Sequence, residues 1–108
     1  MVALAGAALL LAQVMGPRTY LYDQYPDYAD RLDCVFERES HWLPDAVNPY
    51  SGAAGVAQFI RSTWAATPQG QRGESRFDPY SSIDASVWLI DATPQSWRHW
   101  SVVKAGLC

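Results

Sequence analysis

The clearest pattern of apolar and polar positions lies in the first third of the chain, where apolar residues recur at helical spacing. Leu32, Val35 and Phe36 fall on one stripe of a helix. The next position on that stripe is Glu39, and Leu43 would continue it. The sequence therefore predicts that a carboxylate lies on the apolar face of this helix.

A glutamate in the position of Glu39 has the properties of a general acid. Burial among apolar and aromatic neighbours disfavours the charged form of a carboxyl group and raises its pKa, so it can keep its proton near neutral pH. Glu37 projects roughly 200° around the helix from Glu39 and is expected on the wet face. The alternative is structural, with the Glu39 methylenes packed at the stripe's edge and the carboxylate reaching solvent, Arg38 or Arg31.

Signals elsewhere in the chain also favour helices, and no strand signal is strong. The predicted helices are 27–42, 56–59, 62–66, 82–92 and a short final one, which begins with Thr93-Pro94 as cap and first turn and ends at Gly106. A polar loop is expected through Gly70 and Gly73. The predicted fold class is therefore mainly α.

A turn-rich segment from residue 44 to 59 follows the first predicted helix. Gly52 and Gly55 bracket small alanines there, which allows the backbone to lie close to a bulky neighbour. Gln58 offers both a hydrogen-bond donor and an acceptor. We expect this segment to form the floor of a cleft, with an amide at the edge of the core as the alternative role for Gln58.

Several short motifs occur in a fixed order between about residues 30 and 108. They are Glu39-Ser40, Ala46-Val47-Asn48-Pro49, the run from Ser51 to Phe59, Ser62-Thr63-Trp64, Phe77-Asp78-Pro79-Tyr80 with the helical 82–89, and a tryptophan-rich tail that closes on a cysteine. Together these motifs resemble the lysozyme-like lytic transglycosylases of the soluble-lytic-transglycosylase type.

The resemblance implies a lysozyme-like single domain that cleaves the β-1,4 bond between N-acetylmuramic acid and N-acetylglucosamine in peptidoglycan. Glu39 matches the catalytic glutamate, which would protonate the glycosidic oxygen and then accept the proton of the muramic C6 hydroxyl, leaving a 1,6-anhydromuramyl end. Most glycosidases use two carboxylates instead. Asp45 and Asp78 lie beside prolines and are interpreted as turn or cap residues, which favours transglycosylation over hydrolysis.

The resemblance also implies a set of substrate-binding residues. Ser40 would orient the carboxyl or the substrate, with a helix-terminal serine that bonds the backbone as the alternative. Gln58 would bind an acetamido or hydroxyl group. The aromatic residues that could form apolar walls for sugar faces are Tyr50, Phe59, Trp64 and Tyr80.

One motif of this type of enzyme is not matched. Many members carry a tyrosine in an Ala-Tyr-Asn-Ala-Gly-like segment near the C-terminal end, where this chain has Val102-Val103-Lys104-Ala105-Gly106. The missing tyrosine keeps a catalytically inactive cell-wall-binding module open as an alternative function. A hydrolytic muramidase is the other alternative.

The two cysteines of the chain indicate in which cellular compartment the protein is located. Cys34, in the predicted catalytic helix, and Cys108, at the end of the chain, are the natural disulfide pair, and such a bond implies an oxidising compartment. The alternatives are two unpaired thiols, or a zinc site with His41 and His99. No short Cys-x-x-Cys or His-x-x-x-His spacing supports zinc. We therefore expect a secreted or cell-envelope protein.

Composition and the N-terminal region complete the prediction. Residues 1–15 are apolar without amphipathicity and are interpreted as a signal-like or anchor segment, with a buried core helix as the alternative. Residues 16–29 are expected to form a linker or wrapping segment, and residues 30–108 the lysozyme-like domain. A net charge of −3 with scattered arginines argues against nucleic acid as a partner. We expect a monomer that binds peptidoglycan glycan strands without a metal or other cofactor, with a possible membrane tether through 1–15.

Overall fold

A computed structural model describes residues 15–108, so the signal-like or anchor segment predicted for 1–15 lies outside the described residues except for Met15. The helices are α1 (Pro17–Gln24), α2 (Pro26–Ser40), α3 (Arg61–Ala66), α4 (Pro68–Gln71), α5 (Pro79–Ala92), a 3₁₀-helix (Ser96–His99) and α6 (Ser101–Lys104). Within residues 15–108 the only β pairing consists of two isolated bridges, Val47–Ala54 and Ala54–Phe59. The mainly α class is confirmed.

Helix α2 is the central element, and its predicted apolar stripe forms part of the core. Pro26 stands in its first turn, where a missing N–H costs nothing. The stripe residues Leu32, Val35 and Phe36 are fully buried. The helix ends at Ser40 because His41 adopts the left-handed conformation, with φ of 52°. The prediction that Leu43 continues the stripe is therefore wrong, and its side chain is 54% exposed.

Residues 16–29, predicted as a linker or wrapping segment, contain helix α1 and the first turn of α2. Leu21 of α1 is fully buried. The hydroxyls of Tyr20 and Tyr25 both donate to Oδ1 of Asp84 in α5, at 2.8 and 2.6 Å. These contacts join α1 to the core, because burial of Leu21 and two hydrogen bonds to α5 hold it in place.

Three local predictions differ from the structure. Residues 56–59 form a turn and a β-bridge rather than a helix, because Gln58 adopts a φ of 54° and Phe59 pairs with Ala54. The loop expected through Gly70 instead contains α4, which Thr67 caps with its side chain. The single final helix is divided into the 3₁₀-helix and α6 at Trp100, whose backbone is extended.

Helix α5 begins three residues before its predicted start. Asp78 is the cap, since its carboxylate accepts from the backbone N–H groups of Tyr80 and Ser81. This confirms the interpretation of Asp78 as a cap residue. The helix packs Ile83, Leu89 and Ile90 into the core.

The disulfide between Cys34 and Cys108 is confirmed, and it joins residues 74 positions apart. Closing a loop of this length stabilises the fold by about 4 kcal/mol in the chain-entropy model. The bond excludes the unpaired thiols and removes both cysteines from any zinc site. Among the described residues, no helix is long and apolar enough to cross a membrane.

Candidate active site

Glu39 lies in the last turn of α2 and is half-buried, as its place on the apolar stripe predicted. Burial raises the pKa of its carboxyl group. The structural alternative has the carboxylate reach solvent or an arginine, and none of the ion pairs within residues 15–108 includes Glu39. Arg31 instead donates to the carbonyl oxygen of Cys108 and lies over the ring of Trp97. The Glu39 carboxyl group is therefore free to exchange a proton with a ligand.

Glu37 has a different environment on the same helix. Its side chain is 60% exposed, and Oε1 lies 3.3 Å from Nδ1 of the exposed His41. The two glutamates thus occupy the two faces that the helical period predicted. This contrast makes Glu37 a matched control for Glu39.

No second acid of the described chain acts on Glu39, because burial alone accounts for the raised pKa of its carboxyl group. A neighbouring carboxylate would raise that pKa further by repulsion. The carboxylate of Asp33, two turns earlier on α2, accepts hydrogen bonds from Arg18, Tyr22 and Trp42. Burial alone would raise the pKa of Asp33, but these hydrogen bonds together lower it. No other described acid therefore contributes to the raised pKa of the Glu39 carboxyl group.

Ser40 connects the end of helix α2 to the segment that carries Gln58. Its buried hydroxyl lies 3.0 Å from the carbonyl oxygen of Phe36 and 2.8 Å from that of Val56. This is the helix-terminal alternative, in which the serine bonds the backbone, and the hydroxyl has no bond to the Glu39 carboxyl group. Ser40 therefore acts on the site by positioning the segment beside it.

Gln58 is held in an unusual backbone conformation, with φ of 54°. Its Nε2 donates to the carbonyl oxygens of Ala46 and Gly55, at 3.2 and 2.9 Å. Both amide hydrogens are therefore used within the protein, and the donor expected for a ligand is not available. The amide oxygen has no hydrogen-bond partner among the described residues and is not buried. Gln58 presents an acceptor to its surroundings.

The backbone floor predicted at the glycines is present at Gly55. Its φ is 82°, and a Cβ atom there would lie 2.0 Å from the carbonyl oxygen of Arg76. The Arg76 guanidinium in turn donates to the carbonyl oxygens of Gly52 and Phe59, at 3.0 and 2.7 Å. At Gly52 no atom lies within 4 Å of such a Cβ. Of these two glycines, Gly55 is therefore the one that makes the close backbone approach.

A cleft of about 250 Å³ lies against this segment. Its lining residues are Ala57, Gln58, Phe59, Ile60, Thr63, Leu89, His99 and Trp100. Glu39 is not among them, although its neighbour Ser40 bonds the segment at Val56. The Glu39 carboxyl group is therefore not part of the wall of this cleft.

The four predicted aromatic walls occupy different places. Phe59 lines the cleft but is only 4% exposed, and it packs edge-on against the buried Trp64 with ring centroids 5.1 Å apart. Tyr50 is 97% exposed in the turn before Gly52. Tyr80 packs against Tyr20 of α1, and its hydroxyl donates to the backbone of Met15. The structure brings neither Tyr50 nor Tyr80 to this cleft.

Two residues of the tail line the cleft and were missed as site residues. The indole N–H of Trp100 donates to the carbonyl oxygen of Ala57 at 3.0 Å, and the indole is buried. His99 lies beside it, with ring centroids 6.4 Å apart. The tryptophan-rich composition of the tail was the signal available for Trp100, whereas nothing in the local sequence distinguished His99. Within residues 15–108, no three His, Cys, Asp or Glu side chains form a group that could hold a metal ion.

Comparison with known proteins identifies a matching family. The family model described as "Transglycosylase SLT domain" matches residues 21–105. Two curated relatives, each named "Probable transglycosylase SceD", come from Staphylococcus aureus strains bovine RF122 / ET3-1 and MRSA252. Each is 40% identical to this chain over 73 residues, or 66% of this chain and 31% of the relative. This chain thus corresponds to about a third of their length. No solved structure matches the chain.

Proposed function

The chain belongs to the transglycosylase SLT family and has its lysozyme-like, mainly helical fold, and from this premise we propose that it is a peptidoglycan lytic transglycosylase. It cleaves the β-1,4 bond between N-acetylmuramic acid and N-acetylglucosamine. Glu39 is the catalytic residue, and the products carry 1,6-anhydromuramyl ends. The observation that carries this proposal is the half-buried Glu39 carboxyl group, whose pKa is raised by burial alone.

A single carboxyl group performs both proton transfers. In the first step the protonated Glu39 gives its proton to the glycosidic oxygen, the bond from C1 of the muramic sugar to that oxygen breaks, and positive charge develops at C1. In the second step the C6 hydroxyl of the same sugar attacks C1 and its proton passes to the Glu39 carboxylate. The acid is regenerated, and no water is consumed.

A raised pKa suits both steps. The first step needs the protonated form, which burial favours, and the second needs a carboxylate basic enough to accept a hydroxyl proton. A hydrolase would use another group to activate water or stabilise the charge at C1. Within residues 15–108 no other acid contributes to the raised pKa of Glu39, which supports the intramolecular route.

Substrate binding in this proposal involves the segment that Ser40 anchors. The Gln58 oxygen accepts a hydrogen bond from an acetamido N–H or a hydroxyl of the glycan, since its amide hydrogens bind Ala46 and Gly55. Tyr50, almost fully exposed, is available to stack on a sugar face. Phe59 contributes an apolar edge of the cleft.

The proposed location is outside the cytoplasmic membrane, as a secreted or cell-envelope protein. Peptidoglycan is the substrate that the family implies, and the disulfide between Cys34 and Cys108 fits an oxidising compartment. A membrane tether through residues 1–15 stays a prediction, because those residues lie almost wholly outside the described range.

A catalytically inactive cell-wall-binding module is the second candidate function. Two observations favour it. Glu39 does not line the cleft of about 250 Å³, and the tail lacks the tyrosine of the family segment. Such a module would bind glycan strands without releasing fragments.

The test is to incubate the purified protein with peptidoglycan and analyse released muropeptides by mass spectrometry. We expect anhydro-ended products, one water lighter than hydrolytic ones. Glu39→Gln should abolish release, because the amide keeps the side-chain shape and cannot transfer the proton, while Glu37→Gln should match the parent. Hydrated reducing ends would identify a muramidase. Glycan binding without release would identify a binding module, and full activity of Glu39→Gln would remove Glu39 from catalysis.

A further inference from the structure

The ring of His99 belongs to a short hydrogen-bond chain at one side of the cleft. Thr93 Oγ1 lies 2.6 Å from the carbonyl oxygen of Leu89 and 2.7 Å from His99 Nε2. The same oxygen accepts from the backbone N–H of Ser96 at 3.3 Å. Three groups therefore surround one hydroxyl.

The hydrogen-bond chain through Leu89, Thr93 and His99 has only one arrangement of protons that satisfies both contacts of the hydroxyl. The carbonyl oxygen of Leu89 can only accept, so the single proton of the Thr93 hydroxyl is donated to it. Thr93 Oγ1 must then accept from His99, which places a proton on Nε2. In the neutral ring the other nitrogen, Nδ1, is an acceptor.

Nδ1 has no hydrogen-bond partner in the part of the chain that the structure describes. No hydrogen bond within residues 15–108 uses it, and it is not a buried unsatisfied atom. Burial of the ring, with a smaller contribution from the positive charge of Lys104, lowers the pKa of His99, so the ring is neutral at pH 7. The ring therefore keeps one accessible lone pair.

His99 and Gln58 line the same cleft, and each keeps one unused acceptor. Two acceptors suit a ligand rich in hydrogen-bond donors, such as a glycan with hydroxyl and acetamido N–H groups. They do not suit an anion, which would be repelled by both lone pairs. Trp100 closes the cleft beside them with a buried ring.

We propose that His99 is a specificity-determining residue of the cleft, whose Nδ1 accepts a hydrogen bond from an N-acetylated glycan, and that Thr93 is the residue that positions its ring. The identity of the ligand rests on the proposed function. The assignment of His99 as the accepting group rests on the hydrogen bonds from Leu89 through Thr93.

Two amide substitutions separate the two nitrogens of the ring. His99→Gln keeps a donor near the position of Nε2, so it preserves the bond to Thr93 and removes the acceptor. His99→Asn keeps an oxygen near the position of Nδ1 and loses the bond to Thr93. Binding of a tetramer of N-acetylglucosamine is measured by calorimetry in a Glu39→Gln background, which prevents turnover. Thermal unfolding of each variant monitors the fold.

We expect His99→Gln to weaken binding about three- to tenfold, the effect of one hydrogen bond, without a change in melting temperature. His99→Asn should bind more tightly than His99→Gln, although it melts lower. Equal affinity of His99→Gln and the background protein would overturn the proposal. So would equal losses in both variants, since a packing role does not distinguish the two amides.

Thr93 is tested in the protein with Glu39 intact. Thr93→Val removes the acceptor that orients the ring, whereas Thr93→Ser keeps it. We expect Thr93→Val to raise KM severalfold with little change in kcat, and Thr93→Ser to match the parent. A fall in kcat with unchanged KM would contradict a positioning role in binding.

A measurement on the unmutated chain keeps the test independent of folding. In protein labelled with ¹⁵N-histidine, the Nδ1 resonance of His99 should shift when the tetramer is added, while that of the exposed His41 should not. An unchanged His99 resonance at saturation would overturn the proposal.

The outcomes also separate the proposed role of His99 from the proposed transglycosylase reaction. Glycan binding that depends on His99 without any cleavage would remove the proposed reaction alone, whereas cleavage unaffected by His99→Gln would remove this inference alone.

Discussion

The hydroxyl oxygen of Ser40 lies 2.8 Å from the carbonyl oxygen of Val56, and this contact joins the end of α2 to the segment that carries Gln58. Because Ser40 follows Glu39 directly, the contact determines where the acid lies relative to that segment. From the tail, Trp100 holds the neighbouring carbonyl of Ala57. The backbone between the acid and the cleft is thus held at two adjacent positions.

Replacement of Ser40 by alanine should weaken both stability and activity. The Val56 carbonyl would lose its buried partner, which costs about 1–3 kcal/mol. For a domain of this size we expect a fall in melting temperature of about 4–8 °C per kcal/mol. The control is Ser62→Ala, at an exposed position of α3. Calorimetric unfolding that gave equal melting temperatures for the two variants would contradict the anchoring role.

Replacement of Glu39 by glutamine should stabilise the protein at neutral pH. The pKa of the Glu39 carboxyl group is raised in the folded state. The contribution of this group to stability is therefore complete below the unfolded pKa of about 4.3, and it is lost as pH rises through the folded pKa. The glutamine variant does not titrate and keeps its stability. The difference in melting temperature should therefore be small at pH 4 and grow towards pH 7. A difference that is independent of pH would contradict burial of the charge, and Glu37→Gln provides the exposed comparison.

The two glycines of the segment should respond differently to alanine. Gly52→Ala introduces only the strain of a positive φ, about 1 kcal/mol. Gly55→Ala adds a Cβ atom 2.0 Å from the carbonyl oxygen of Arg76, so the backbone must move. We expect a loss above about 3 kcal/mol and a large loss of glycan binding. Denaturant unfolding of the two variants tests this, and equal stabilities would show that the close approach is absent.

Asp33 should make stability sensitive to acid. Its carboxylate accepts from Arg18, Tyr22 and Trp42, and its pKa is lowered in the folded state despite burial. The stability that it contributes is present above the unfolded pKa of about 3.9 and is lost as pH falls through the folded value. Asp33→Asn should cost about 1–3 kcal/mol at pH 7 and less at pH 2. Asp45→Asn, in an exposed turn, should leave the stability unchanged at both pH 7 and pH 2.

Local patterns were sufficient to predict part of the site. The helical period placed Glu39 on the buried side of α2 and Glu37 on the exposed side, because a helix repeats its faces regardless of what surrounds it. Cap chemistry likewise predicted Asp78, since the acceptor lies within three residues of its donors. The error at Gln58 falls where longer-range contacts overrode local preference, since its side-chain amide donates to the carbonyl oxygen of Ala46, 12 residues away, and its neighbour Phe59 pairs with Ala54.

The sequence by itself determined the family, the mainly α class, the helix that carries Glu39 and the pairing of Cys34 with Cys108. These depend on periodicity, local motifs and the presence of only two cysteines. The tertiary structure alone decided that Ser40 anchors a backbone segment rather than the acid, and that His99 reaches the cleft of Gln58. The physical reason is separation along the chain. Trp100 bonds Ala57 across 43 residues, and no local pattern encodes a contact that only packing of the whole core brings about.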